Sequence, residues 1–295
     1  MSRVRRNWPE YLIEAWGLGT FMVSAGLVTT LFEYPGSPVH TAIADADWRR
    51  ALIGVAMGLT AIALIYSPWG QRSGAHMNPA VTLSFLRLGK IGRTDALFFV
   101  LAQFVGGTVG VVLVAALLGP AFTQAPVSYA ATLPGPGGPS VAFTAETLIS
   151  MLLIYTVLAV SNTPRIARFT GIVAGCLVAT YIALEAPLSG MSMNPARSFA
   201  SAASGVMWQS FWIYVIAPVA GMLAGTQIYL FTHRRAPVAC AKLLHPANQR
   251  CIHCGYRPSR KPSIVGRLRV EGKPGPLQLT PLESSPPTLR PPHEL

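Results

Sequence analysis

The residues of this chain best placed to do chemistry are two asparagines, two glutamates, an arginine and a cluster of cysteine and histidine. The asparagines sit in a segment that occurs twice. Ser73-Gly74-Ala75-His76-Met77-Asn78-Pro79-Ala80 and Ser189-Gly190-Met191-Ser192-Met193-Asn194-Pro195-Ala196 share the pattern S-G-x-x-M-N-P-A. Asn before Pro starts a helix: Asn caps it, and Pro suits the first position because the N–H it lacks would have no partner there. The small Ala lets two such ends approach closely. Each copy opens an apolar piece of only about ten residues, roughly 15 Å of helix, or half a bilayer. A duplicated cap of this kind in two apolar halves points to broken helices that meet at mid-membrane in an inverted repeat.

Two half-helices meeting head to head would aim two positive dipole ends at one spot. The Asn78 and Asn194 amides could then offer N–H donors to a solute passing there. Irregular backbone at that depth is tolerated only where it is buried or lines a water-filled cavity. The carbonyls of Gly74, Ala75 and His76, and of Gly190, Met191 and Ser192, are therefore expected along the lumen. Such a path alternates acceptors with donors around a positive centre. It would pass neutral polar molecules and repel cations, protons included. Arg197 is the one charge following the second Asn-Pro-Ala in a segment nearly free of charge. A guanidinium held there by loop carbonyls would donate to solutes and repel cations, whereas a snorkelling interfacial Arg would do neither.

The elements that must hold these groups are apolar. Of 295 residues, 51% are hydrophobic and only 12% charged, about half the charge of a soluble domain. Six stretches, near 11–32, 50–67, 95–118, 142–160, 168–185 and 208–231, are long enough to span about 30 Å of hydrocarbon. The net charge of +12 sits mostly after Thr232. That basic excess fits a cytoplasmic tail better than nucleic-acid binding. Arg3, Arg5 and Arg6, then Arg72, Lys90 and Arg93, then Arg165 and Arg168, fall on the same side as that tail in a six-span arrangement. This places both termini in the cytoplasm and the first helix in the mature protein of a cell (plasma or inner) membrane. Arg49 and Arg50 break the pattern.

Glu14 in span one and Glu146 in span four occupy matching places in the two halves. Carboxylates in apolar spans are costly and need partners. The free backbone N–H groups of the two re-entrant loops would supply them; the alternative is that both carboxylates sit in the interface.

With these segments the chain resembles the aquaporins, or major intrinsic proteins, over about residues 8–232. Gly74-Ala75-His76-Met77-Asn78-Pro79-Ala80-Val81-Thr82 and Met193-Asn194-Pro195-Ala196-Arg197-Ser198-Phe199 are similar to the family's two signature segments. The resemblance implies an all-α membrane fold of six transmembrane helices plus two re-entrant half-helices, and a passive channel for water and other small neutral solutes such as glycerol. It implies one pore per subunit of a homotetramer, no enzyme activity, no cofactor for transport, and Arg197 at the outer constriction. Counting along the family pattern puts Ile182, Met191 and either Met57 or Gly58 beside Arg197, with Met57 preferred. That filter is apolar and lacks the His usual in water-selective members, which leaves room for glycerol, urea, ammonia or hydrogen peroxide. Ser198, Ala202 and Tyr214 follow the water pattern, and the reading leans to water. The rival class is a coupled transporter, which inverted repeats also build. It should need an intramembrane ion or proton site, and the body offers few residues for one.

The residues after the channel domain, 1–232 (halves about 8–118 and 142–231), carry the second chemistry. Cys240, His245, Cys251 and Cys254 fit C-x4-H-x5-C-x2-C within 233–257. Such ligands suit a closed structural Zn²⁺ site. His253 in place of His245, a redox pair at Cys251 and Cys254, and plain thiols are the alternatives. This segment is expected to stand clear of the permeation path. Residues 258–295 are basic and Pro-rich and read as disordered, near anionic lipid.

Overall fold

The computed structural model describes residues 3–233, 238–245 and 248–257; the expected disordered tail lies outside the described residues. The helices run α1 (Arg3–Glu33), α2 (Pro38–Ala42), α3 (Ala46–Tyr66), α4 (Pro68–Ser73), α5 (Pro79–Arg87) and α6 (Arg93–Leu118) in the first half. Then follow α7 (Pro120–Thr123), α8 (Gly138–Ser161), α9 (Thr170–Leu184), α10 (Ala186–Ser189), α11 (Pro195–Gly205) and α12 (Phe211–Thr232). The described residues contain no strand. Six helices, α1, α3, α6, α8, α9 and α12, are long and apolar enough to cross a membrane. They coincide with the expected spans to within a few residues, except that α1 begins eight residues early. Its first turns are held by polar contacts: Asn7 and Tyr11 both donate to Asp95 at the start of α6.

The spanning helices pack in pairs, α1 on α6, α3 on α9 and α8 on α12. Lipid supplies no hydrophobic drive between helices, so close backbone contact through small residues must hold them. A Cβ on Gly106 would lie 2.0 Å from the Ala15 carbonyl oxygen, and one on Gly110 would lie 2.4 Å from that of Gly19. Gly54 and Gly58 do the same for α3 against Ala179 and Gly175 of α9.

Between α3 and α6, and again between α9 and α12, the chain makes a short helix, a loop and a half-helix. The N-termini of α5 and α11 meet inside the bundle. Asn78 caps α5 by accepting from the Ala80 N–H at 2.8 Å. Asn194 caps α11 by accepting from Ala196 and Arg197 at 3.1 and 3.2 Å. α1 starts and α12 ends on one face of the bundle, here called the terminal face. On the far face Arg49 is buried, forked onto the Glu33 carboxylate at 3.2 Å and bonded to the Ile43 and Ala44 carbonyls. Arg50 donates to the Ala183 carbonyl and to Asp47. These two arginines break the charge pattern because each has a fixed local set of partners.

The described parts of 238–257 form turns and loops and belong to the same compact unit as the helices. They pack on the terminal face rather than standing clear of the permeation path, which corrects the sequence-based expectation. Val238, Cys240, Ala241, Lys242, Leu243 and Cys251 are all buried.

Candidate functional site

The two re-entrant loops have one backbone. Gly74 and Gly190 are left-handed, at φ 117° and 80°. Ala75 and Met77 in the first loop, and Met191 and Met193 in the second, are left-handed too, with φ between 47° and 56°. Non-glycine residues in that region cost energy, and four at matching positions persist only where the surroundings impose them.

The surroundings are the two carboxylates. Glu14 Oε1 accepts from Ser73 Oγ (2.7 Å) and the His76 N–H (3.1 Å), and its Oε2 accepts from the Met77 N–H at 2.6 Å. Glu146 Oε1 accepts from Ser189 Oγ (2.8 Å) and the Ser192 N–H (2.7 Å), and its Oε2 accepts from the Met193 N–H at 2.8 Å. Ser73 Oγ and Ser189 Oγ each accept from the N–H two residues on. Both carboxylates are fully buried, so neither sits in the interface. The serines complete this frame and were visible as the first letter of the repeat, although their role was not.

The loops also hold each other. Asn78 Nδ2 donates to the Met193 carbonyl at 2.7 Å, and Asn194 Nδ2 donates to the Met77 carbonyl at 2.8 Å. Each amide has two N–H groups, so each keeps a second donor beyond this cross-link.

A cavity of about 480 Å³ runs past these amides. Ala75, His76 and Asn78 line it from one loop, and Gly190, Met191, Ser192, Asn194 and Arg197 from the other. Met57 and Ile182 line it as well. Gly58 instead packs on Gly175 and does not line the cavity. Ile53, one turn before Met57 on the same face of α3, also lines the cavity and was missed from the sequence. Arg197 Nη1 is buried and has no hydrogen-bond partner among the described residues.

Gly74, whose carbonyl was expected along the lumen, does not line the cavity. Its oxygen accepts from the Leu243 N–H at 3.2 Å, because the C-terminal segment covers it. Leu243 itself lines the cavity.

The four metal-ligand candidates converge. One ligand atom from each of Cys240, His245, Cys251 and Cys254 lies within 4.8 Å of the others. Cys240 Sγ and Cys251 Sγ are 3.4 Å apart, and His245 Nε2 and Cys254 Sγ are 3.2 Å apart. A tetrahedral zinc with sulfur at about 2.3 Å sets its ligands roughly 3.8 Å apart, so the set fits such an ion. The Cys251 thiol is drawn below its usual range, first by Cys240 donating to it and then by the Cys254 and His253 N–H groups. His253 is turned away from the cluster, with Nε2 2.8 Å from the Ser73 carbonyl oxygen, so it does not replace His245.

Six spanning helices, two opposed half-helices and a polar line through an apolar bundle define a pore-forming membrane protein built on an inverted repeat. The chain belongs to the major intrinsic protein family, whose model matches residues 6–229, and it is a passive channel for water and small neutral solutes. It is 33% identical to the rice (Oryza sativa subsp. japonica) aquaporin NIP1-4 over 71% of this chain and 71% of that one. It is 36% identical to the probable aquaporin AqpM of Archaeoglobus fulgidus over 62% of this chain and 76% of that one. A NIP-type probable aquaporin of Nicotiana alata is 35% identical over 60% of this chain and 64% of its own length. The matches thus span about two thirds of these relatives. The aquaglyceroporin of Plasmodium falciparum shares the fold, with a TM-score of 0.62 at 21% identity over 75% of this chain and 94% of that one.

Proposed function

We propose that water is the main permeant and that glycerol-sized neutral solutes pass more slowly. The observation that carries this reading is that the two cross-linked amides, each with a second N–H outside the cross-link, and the Arg197 side chain all line the cavity. These three side chains share the cavity with the apolar Ile53, Met57, Ile182 and Met191. A lone water can exchange bulk partners for them, while a cation loses its hydration shell against the positive helix ends. Support for water comes from hydroxyls behind the second loop, where Thr132, Ser198 and Ser192 form a chain of 2.6 Å contacts. The apolar filter favours a broader range.

In this reading Pro79, Ala80, Pro195 and Ala196 set the half-helix ends, and Glu14 and Glu146 keep the loops in place. The protein lies in a plasma or inner membrane with its terminal face in the cytoplasm, as the arginine and lysine pattern favours. Four subunits assemble, each with its own pore. Cys240, His245, Cys251 and Cys254 hold one Zn²⁺. Stopped-flow light scattering on proteoliposomes, with water and glycerol side by side, tests the permeant. Glycerol flux equal to or above water flux would overturn the order, and flux that follows an ion gradient would favour the coupled transporter.

A further inference from the structure

The C-terminal segment does more at the terminal face than cover it. Besides contacts to Asn162 and Asn7, its polar groups engage the first re-entrant loop and the helix leading into it. The Leu243 N–H takes the Gly74 carbonyl, Lys242 Nζ takes that of Gln71 at 2.8 Å, and His253 Nε2 takes that of Ser73 at 2.8 Å. The Ala241 carbonyl lies 2.6 Å from His76 Nε2, and Thr82 Oγ1 lies 3.1 Å from His76 Nδ1. Both nitrogens of the one imidazole lining this end of the cavity are therefore engaged within the protein. The His253 ring stacks on His76 with centroids 5.8 Å apart, and His76 stacks on Phe85 at 4.9 Å. Leu243 closes the wall of the cavity beneath them.

This wedge is Ala241-Lys242-Leu243, the start of the loop between the first two metal-ligand candidates, Cys240 and His245. Ala241, Lys242 and Leu243 are 0%, 3% and 7% exposed, values expected of a folded core. The described part of the segment has neither helix nor strand. About twenty residues without regular structure cannot bury enough apolar surface to fix themselves, and chains of this kind rely on a metal or a disulfide. The cysteines here are free thiols. The ligand set sits where an ion would close the loop that carries the wedge.

We infer that the cysteine–histidine cluster is a metal-held stopper: Zn²⁺ on Cys240, His245, Cys251 and Cys254 fixes Ala241–Leu243 in the terminal mouth of the pore, and loss of the ion frees it. The inference rests on the channel reading above. An ion can shift the equilibrium only by binding one arrangement better than the other. The docked loop presents all four ligands together, so the closed form is the one the ion selects. Leaving of the wedge returns the Gly74 and Gln71 carbonyls and His76 Nε2 to water.

The test uses the full-length chain in proteoliposomes, with zinc counted by elemental analysis and water permeability read by stopped flow. Zinc-loaded protein should carry about one zinc per chain. Removing it with a chelator on the face that bears the segment should raise permeability about tenfold, which needs only about 1.4 kcal/mol of differential binding. Added Zn²⁺ should reverse the rise, and Mg²⁺ should not. Cys251→Ser with Cys254→Ser should lack zinc, be permeable throughout and ignore the chelator. Leu243→Gly should keep its zinc and still leak, separating the wedge from the metal. Three results would overturn the inference. Zinc removal without a change in permeability makes the site structural only. Less than about a tenth of a zinc per chain, with permeable protein, removes the metal and leaves the channel standing. Impermeability of every form, chelated and variant alike, sinks the channel reading itself.

Discussion

The two halves of this protein share a frame and differ in what they mount on it. In both, a serine and a carboxylate from the first spanning helix of the half fold a loop with two left-handed non-glycine residues. In both, an asparagine caps a half-helix and reaches across to the other loop. Position by position, His76 in the first loop answers to Ser192 in the second, and Thr82 to Ser198. In the first half an imidazole, flanked by Phe85 and Phe99, takes the carbonyl of Ala241. In the second half hydroxyls occupy those places, and Arg197 lines the cavity beside them. The frame is common to both loops, and the side chains mounted on it give one mouth a hold for a stopper and the other a charge.

The largest effects should come from the shared frame. Glu14→Ala orphans the His76 and Met77 N–H groups, the Ser73 hydroxyl and one N–H of the Gln103 amide, whose other N–H keeps Thr82. Glu146→Ala orphans the Ser192 and Met193 N–H groups, while the Ser189 hydroxyl keeps the Glu185 carboxylate. At about 1–3 kcal/mol for each buried donor left unmet, both variants should lose most of their folded yield. Thermal unfolding in detergent should rank Glu14→Ala as the more damaged, because Gln103 is an extra loss. Equal melting temperatures to wild type for either would mean that the loop is held by its helices alone.

Next in size is the charge that only one half carries. Arg197→Val should keep or raise neutral-solute flux and admit a proton or cation leak, measured with a pH-sensitive dye inside vesicles. His76→Ala, at the opposite mouth, should admit no such leak while raising water flux, since it frees the Ala241 carbonyl. A cation leak from His76→Ala and none from Arg197→Val would reverse the assignment of the two mouths.

Smaller and matched effects are expected at the seam. Asn78→Asp and Asn194→Asp each lose a cross-loop donor and place a carboxylate against a positive helix end. Both should conduct cations weakly and to a similar extent in electrical recordings. A strong asymmetry would show that the two half-helices do not contribute equally to the central barrier. The least effect should come from Ile53→Val, which trims one methyl group from the apolar wall. It should shift the glycerol-to-water ratio by no more than about fourfold, since a single methylene carries about 0.8 kcal/mol.

What could be read in the sequence was what repeats or follows a period. The six spans, the half-helices and their Asn caps, and the pairing of Glu14 with Glu146 all come from local pattern or internal duplication. The lining by Ile182, Met191 and Arg197 followed from counting, because no insertion falls between them and the second repeat. Ile53 was missed because counting picks out one position per element, and Ile53 lies a turn away from Met57 on the same face of α3. The docked C-terminal segment could not be read at all. Its contacts join residues such as His76 and Ala241, 165 positions apart, and it has no period to say which surface it covers. Arg49 misled the charge pattern because its partner Glu33 lies 16 residues away across a turn. The cysteine–histidine spacing predicted a cluster and could not predict its address.

The crossed amide bonds have a consequence for biosynthesis. The carbonyl that receives Asn78 belongs to Met193, 115 residues later in the chain. At roughly 5–20 residues per second, a ribosome takes about 6–23 s to supply it. Through that interval the first half sits in the membrane with an open polar loop and an unfinished half-helix. It must be kept wet or sheltered by the insertion machinery, since lipid cannot satisfy it. A chain arrested ahead of Asn194, carrying Ala80→Cys, should therefore react with a water-borne thiol reagent, and the completed chain should not. Protection already present in the arrested chain would mean that the first loop closes without its mate.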